Sequence, residues 1–115
     1  VTMATRVYRG ASGWGVPMLT IEAGLVFAGP STASVQIMCA SGDQLYNGTS
    51  TWGFPIACIE GDAIFKGASS WGVPVACLSG RRLFKGPSAV GVPIATIDGP
   101  DVEHAAMAAA AYLLF

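Results

Sequence analysis

The chain has 115 residues, of which 52% are hydrophobic and 11% are charged, and its formal net charge is −1. This length predicts one domain, and the high hydrophobic content excludes a disordered chain, which needs low hydrophobicity and high charge. A charge balance this close to neutral leaves no basic footprint for nucleic acid. Because so few charged side chains cannot cover the surface of an ordinary monomer, the composition favours a homo-oligomer.

The sequence does not predict a membrane span. Residues 1–6 lack the apolar core of a signal peptide and are interpreted as an N-terminal extension. The longest apolar segment, residues 105–115, is 11 residues long, whereas a spanning helix needs about 20.

A unit of 19 residues occurs five times in succession over residues 7–101, without an insertion or a deletion. Each copy opens with an apolar residue and an aromatic one, and a glycine and a serine follow at fixed positions. The aromatic residues are Tyr8, Phe27, Tyr46, Phe65 and Phe84; the glycines are Gly10, Gly29, Gly48, Gly67 and Gly86; the serines are Ser12, Ser31, Ser50, Ser69 and Ser88. Such a repeat decides the architecture before local propensity does, so residues 7–101 are predicted to form one β-repeat domain.

Two extended segments recur in each unit. The first is short and centred on the aromatic residue, as in Arg82–Lys85, and the second is longer and β-branched, as in residues 92–97. Glycines bound the segments, a pattern typical of strands. Prolines in the second segment cannot donate to a ladder and should mark strand starts or edges; they are Pro17, Pro55, Pro74 and Pro93.

The predicted fold class is all-β, and two arrangements stay open. Short links such as Glu60-Gly61 between apolar runs indicate hairpins, so that five units give about ten short strands. Alike residues at one unit position also fit a parallel β-solenoid, whose coils stack them. The second unit departs from the pattern at Ala33, Ser34 and Gln36, and the sequence offers no physical account of that departure.

The repeated serine is interpreted as a turn residue, since its hydroxyl can bond to neighbouring amides. The nucleophile motif Gly-x-Ser-x-Gly is not matched, and one histidine cannot serve five serines as a base. The sequence also has no phosphate loop or dinucleotide fingerprint. We therefore predict no enzymatic activity, no catalytic residue, no cofactor and no metal site.

Cys39, Cys58 and Cys77 occupy one unit position, where the flanking units have Thr20 and Thr96. They form no CxxC pair, and the exchange with threonine indicates a small side chain suited to a strand. Reduced, packed thiols are the favoured interpretation, and disulfides between chains are the alternative.

Trp14, Trp52 and Trp71 share a loop position that Ala33 and Val90 fill in the other units. Aromatic side chains in line can stack on sugar rings, so these three are candidate contacts to a partner or a glycan. Packing between units or subunits is favoured. A side chain that only fills space can be replaced by a smaller apolar one such as Ala33 or Val90, whereas a side chain that stacks on a ligand cannot.

The repeats are followed by a predicted helix over residues 102–115. Asp101 is the expected N-cap, and Glu103 lies in the first turn, where the helix dipole favours an acid. The segment is rich in alanine, the best helix former. His104, in the same turn, is expected to be solvated or to hydrogen-bond as a cap.

A helix this short and apolar is not stable alone. It must therefore dock on its own sheet or on a partner. The sequence predicts Tyr112, Leu113 and Phe115 as its docking residues.

In its short, uncharged, glycine-rich β-repeats, the chain resembles small virion proteins of tailed bacteriophages, namely capsid decoration proteins and fibre or spike segments. The resemblance covers residues 7–101 and lies in the style of the repeats. It implies self-assembly, commonly as a homotrimer, other virion proteins as partners, a location in the virion and no catalysis. A repeat-built carbohydrate-binding module is the main alternative. An ice-binding solenoid is a third, for which only Thr20 and Thr96 fall in a suitable column.

Overall fold

The computed structural model describes residues 4–11, 15–51, 53–68, 70 and 72–114. Within these residues the chain forms ten strands and one helix. In chain order they are β1 (Thr5–Arg9), β2 (Leu19–Glu22), β3 (Leu25–Ala28), β4 (Val35–Ser41), β5 (Gln44–Asn47), β6 (Ala57–Glu60), β7 (Ala63–Lys66), β8 (Ala76–Ser79), β9 (Arg82–Lys85), β10 (Ala95–Asp98) and α1 (Val102–Leu114).

The strands form a closed antiparallel barrel. Each strand pairs with its neighbours in sequence, and β1 closes the ring by pairing with both β2 and β10. The prediction of a mostly β fold with a C-terminal helix is confirmed. The antiparallel hairpins of the first arrangement are present, the parallel solenoid is wrong, and the closure into a barrel was not predicted. The pairing of β10 with β1 uses the two sheet edges that an open row of hairpins would leave bare.

Proline limits the length of the second strand in four of the five units. The predicted strand over residues 92–97 begins only at Ala95, two residues after Pro93, which has no amide hydrogen for a ladder bond. The second unit has Gln36 at the proline position, and there β4 extends to seven residues with Gln36 opposite Phe27. The register between β3 and β4 shifts at Val26 and Phe27, where Ile37 of β4 is skipped, as in a β-bulge. The departure of the second unit therefore lengthens one strand.

The two ends of the barrel differ in their connections. At one end, the turn end, two-residue turns join β2 to β3, β4 to β5, β6 to β7 and β8 to β9. Longer connections, residues 10–18, 29–34, 48–56, 67–75 and 86–94, join the strands at the opposite end, the loop end. The chain leaves β10 at the turn end and continues into α1.

The inner wall of the barrel is built from alternate residues of the strands, because strand side chains point inward with a period of two. The buried wall residues of the core are Val7, Leu19, Ile21, Val26, Met38, Leu45, Ala57, Ile59, Ile64, Ala76, Leu78, Leu83, Ala95 and Ile97. They fall at three unit positions. The apolar residues that repeat at these three unit positions therefore form the inner wall.

Helix α1 runs through the interior of the barrel. Its residues 105–111 are at most 7% exposed, and seven consecutive residues cover every face of a helix with 3.6 residues per turn. The helix contacts strands from all round the ring, namely β1, β2, β5, β6, β7, β9 and β10. The helix is therefore docked on its own sheet, and on all sides.

Alanine makes this arrangement possible. A barrel of about eight strands is just filled by its own side chains, so ten strands leave room along the axis. A helix with ordinary side chains is about 10–12 Å wide. Within residues 105–111 every residue except Met107 is alanine, which keeps the helix slim enough for that space.

Polar contacts fix the helix where it starts, at the turn end. The Nε2 atom of His104 lies 2.9 Å from the carbonyl oxygen of Gly42, and its Nδ1 atom lies 2.9 Å from Oδ2 of Asp101. The amide of Asp101 donates to Oγ1 of Thr5 at 2.9 Å. Gly99 has a φ of 142°, and a Cβ there would lie 2.6 Å from the Cα of Thr5. Only glycine fits where the chain turns inward.

Candidate functional site

Charged side chains are segregated between the two ends of the barrel. The acidic residues lie at the turn end, in the short turns, the adjacent strand ends and the first turn of α1; they are Glu22, Asp43, Glu60, Asp62, Asp98, Asp101 and Glu103. Arg9, Lys66 and Lys85 are the last residues of their strands and lie at the loop end. Among the described residues the loop end is therefore purely cationic, while acids predominate at the turn end.

The loop end also carries a ring of exposed apolar side chains. One residue per unit, 19 positions apart, is 74–90% exposed: Val16, Val35, Phe54, Val73 and Val92. Val35 lies opposite Ala28, the last residue of β3, and Val73 lines a groove with Leu113 and Leu114 of α1. We call these five residues the loop-end rim. Because an exposed apolar side chain recurs in every unit at this end of the molecule, the loop end is the candidate interaction surface.

Two grooves lie beside the last turns of α1. The first, of about 530 Å³, has among its lining residues Ile56, Lys66, Gly67, Ala111 and Tyr112. The second, of about 470 Å³, has among its lining residues Val75, Lys85, Gly86, Leu113 and Leu114. Three residues of the first groove, Ile56, Lys66 and Gly67, have their equivalents one unit later in the second groove, namely Val75, Lys85 and Gly86. The two grooves thus share an apolar residue, a lysine and a glycine at the same unit positions.

Three of the connections at the loop end contact the outer wall of the barrel through described residues near their starts. The hydroxyl of Thr20 donates to the carbonyl oxygen of Gly29 at 2.8 Å, and that of Thr96 donates to Gly10 at 2.9 Å. The two bonds join the same pair of unit positions. Gly29 comes nine residues after Thr20 in the chain. Gly10 comes nine positions after Thr96 when the five units are counted as a closed ring, in which the first unit follows the fifth. The amide of Gln44 similarly donates to the carbonyl of Ala68.

The three cysteines lie in the same outer-wall column as these threonines. They are free and buried, at most 8% exposed, and each pairs across its hairpin with an aromatic residue, as Cys58 does with Phe65. Burial raises the pKa of each thiol, and the carboxylates of Glu60 and Asp43 raise the pKa of Cys58 further. A protonated thiol is a poor nucleophile. A disulfide between chains would require this wall to open, so the structure favours packed thiols.

The other predicted site residues are placed as follows. The candidate glycan contacts Trp14, Trp52 and Trp71 lie outside the described residues, as does Phe115. Of the other docking residues, Tyr112 is 44% exposed and Leu113 is half-buried. The repeated serines were predicted to hold turns through their hydroxyl groups. Ser31 does so, because its Oγ accepts a hydrogen bond from the amide of Ala33 at 3.3 Å.

The rim was not predicted from the sequence, because residues 92–97 were interpreted as one β-branched strand. A signal was available. Each rim residue directly precedes the proline position of its unit, and a strand cannot continue through proline without losing a ladder bond. An apolar residue that directly precedes a proline therefore belongs to a loop, whereas Val35, which precedes Gln36, is the first residue of β4.

No cluster of three metal-ligating side chains occurs in the part of the chain that the structure describes. No helix in this part is long and apolar enough to cross a bilayer. Comparison of the chain with protein-family models, curated proteins and solved structures gives no match.

Proposed function

We propose that the protein is a non-enzymatic structural subunit that attaches to a larger assembly through the loop end of its barrel. The rim is the observation that carries this proposal. It places five apolar side chains in water at one end of the molecule. Such a surface lowers its free energy when another surface covers it.

The filled interior supports the same function. Barrels of comparable size hold a small ligand where their interior is open. Here residues 105–111 of α1 occupy that space, and the two grooves beside the last turns of α1 are open to the surface. The protein therefore acts through its surface.

Self-association, with a trimer favoured, and a place in a virion as a capsid decoration or fibre subunit are further parts of this proposal. The low content of charged residues and the style of the repeats support them. Sedimentation velocity at micromolar concentrations should show reversible oligomers. A monomer at every concentration would remove self-association from the proposal.

The role of the rim is tested by retention on a phenyl matrix. Wild type should be retained more strongly than the double variant Phe54→Ser/Val73→Ser, whose two replaced side chains are exposed and should leave the fold intact. Leu25→Ser, an exposed apolar residue at the turn end, is the control and should behave as wild type. Equal retention of all three proteins, with unchanged circular dichroism, would contradict the proposal.

A further inference from the structure

We propose that the loop end docks on the surface of a lipid bilayer that contains anionic lipids. The inference rests on the proposed function, which makes the loop end the working surface, and it names the partner of that surface. Three features of the described residues support it: the shape of the apolar ring, the sign of the charge around it, and the two grooves beside α1.

The rim residues lie between strands or at a strand start at one end of the barrel, so their exposed side chains belong to one end of the molecule. The molecule measures 36 × 34 × 23 Å, and α1, with 13 residues, is about 20 Å long at 1.5 Å per residue. The barrel is therefore short and broad, and its loop end is a wide face. Five exposed apolar side chains around such a face can reach the boundary between headgroups and acyl chains at once.

The charge of the loop end matches an anionic surface. Arg9, Lys66 and Lys85 end their strands at this face, and the acidic residues all lie at the other end of the barrel. Basic side chains beside an inserted apolar surface are attracted by anionic headgroups. The separation of charge also orients the molecule, because the acidic turn end is repelled from the same bilayer.

The two grooves repeat this chemistry on a smaller scale. Each combines apolar side chains from the wall and from the end of α1 with one lysine, Lys66 in the first and Lys85 in the second. A lipid presents an acyl chain next to an anionic headgroup. Each groove likewise places apolar side chains next to a lysine. The grooves therefore match the chemistry of an anionic lipid, as the rim and the cations of the loop end do.

A second copy of the chain fits this face less well. Docking rim to rim would bring two sets of Arg9, Lys66 and Lys85 together with no acid at that end. Docking rim to turn end would press the apolar ring against the acidic turns. A bilayer that is apolar at depth and anionic at its boundary satisfies both features.

Sedimentation with sucrose-loaded vesicles tests the proposal. Wild type should bind vesicles of phosphatidylcholine mixed with phosphatidylserine and should not bind vesicles of phosphatidylcholine alone. High salt should weaken binding, since it screens charges at the surface. Trp14, Trp52 and Trp71 each stand two residues before a rim residue in sequence, so a blue shift of tryptophan emission gives a second readout of insertion.

Two variants separate the apolar and the charged contributions. Arg9→Gln/Lys85→Gln should lower the partition coefficient roughly 30-fold, as expected when about 1 kcal/mol is lost for each cation near an anionic surface. Phe54→Ser/Val73→Ser should lower it by roughly 100-fold or more through lost apolar burial. Arg81→Gln/Arg82→Gln removes the same charge at the turn end, and it should bind as wild type or more tightly.

The outcomes distinguish this inference from the proposed function. Selective binding to anionic vesicles that the rim variant and the Arg9/Lys85 variant both lose supports the inference. Equal binding of wild type to both kinds of vesicle overturns it. It is also overturned if the Arg81/Arg82 variant loses as much binding as the Arg9/Lys85 variant. No vesicle binding by a protein whose phenyl retention depends on the rim overturns the lipid partner and leaves the proposed function standing. No vesicle binding and no rim-dependent retention overturn both.

Discussion

At the scale of single residues, the turns show where the chain is strained. Gly42, Gly61 and Gly80 each open a two-residue turn with φ of 60–63°, and the equivalent residue of the first turn is Ala23, with φ of 54°. Ala23 is the one non-glycine residue with positive φ among the described residues. An L side chain in this left-handed region costs about 1–2 kcal/mol, so the first turn is less stable than the others.

Replacing Ala23 by glycine should therefore stabilise the protein. We expect Ala23→Gly to raise the free energy of unfolding by about 1 kcal/mol, because glycine adopts positive φ without this penalty. Urea denaturation followed by circular dichroism measures the change. Gly24→Ala is the matched control, since a Cβ there would lie 2.7 Å from the carbonyl oxygen of Ala40, and it should lower stability. An unchanged or lower unfolding midpoint for Ala23→Gly would show that this turn is not strained.

The buried thiols give a second prediction at the residue scale. Burial raises the pKa of Cys39, Cys58 and Cys77 in the folded protein, whereas in the unfolded chain the thiols ionise near their ordinary pKa of about 8.5. Below that pH both states hold the protons, and the thiols leave stability unchanged. Above it the unfolded state loses its protons first, so stability falls as pH rises.

The comparison protein is the triple variant Cys39→Thr/Cys58→Thr/Cys77→Thr. Threonine is the chain's own residue at this position in Thr20 and Thr96, where its hydroxyl bonds to a loop carbonyl, so the variant should fold. Between pH 7 and pH 10, as these pKa directions imply, wild type should lose more stability in urea than the variant loses. An identical pH dependence of the two proteins would contradict the raised thiol pKa.

At the scale of elements, α1 shows how composition and position depend on each other. The sequence predicted a helix that needs a docking surface, and its apolar character on every face was the available sign that it is buried all round. The narrow space inside the barrel requires alanine at positions such as Ala105, Ala108 and Ala109, which are fully buried. Met107 is the one large side chain there, and methionine adapts to irregular gaps.

Enlarging one alanine of the helix should strain the barrel. We expect Ala109→Leu to lower the free energy of unfolding by about 2 kcal/mol or more, because overpacking forces side chains and backbone to shift. Ala89→Leu makes the same change at an exposed loop residue and should be within about 0.5 kcal/mol of wild type. Chemical denaturation of both variants measures the difference. Equal stability of the two would mean that α1 does not fill the interior.

At the scale of the whole molecule, the sequence predicted local features and missed the closure. Strands, turns and the helix follow from short patterns of glycine, proline and apolar residues, and these were found. The pairing of Arg6 with Asp98 joins residues at opposite ends of the repeats, and no local pattern encodes such a contact. The rim and the segregation of charge were missed for the same reason, since both depend on which residues the closed barrel brings to one end.

The barrel is built around its own helix, because residues 105–111 of α1 fill its interior. Amide hydrogen exchange measures how well this helix is protected. The amides of residues 105–111 should exchange only through global unfolding and should be among the slowest in the protein, while those of the exposed loop 88–92 should exchange rapidly. Rapid exchange of residues 105–111, as in a terminal helix that frays on the surface, would contradict the account.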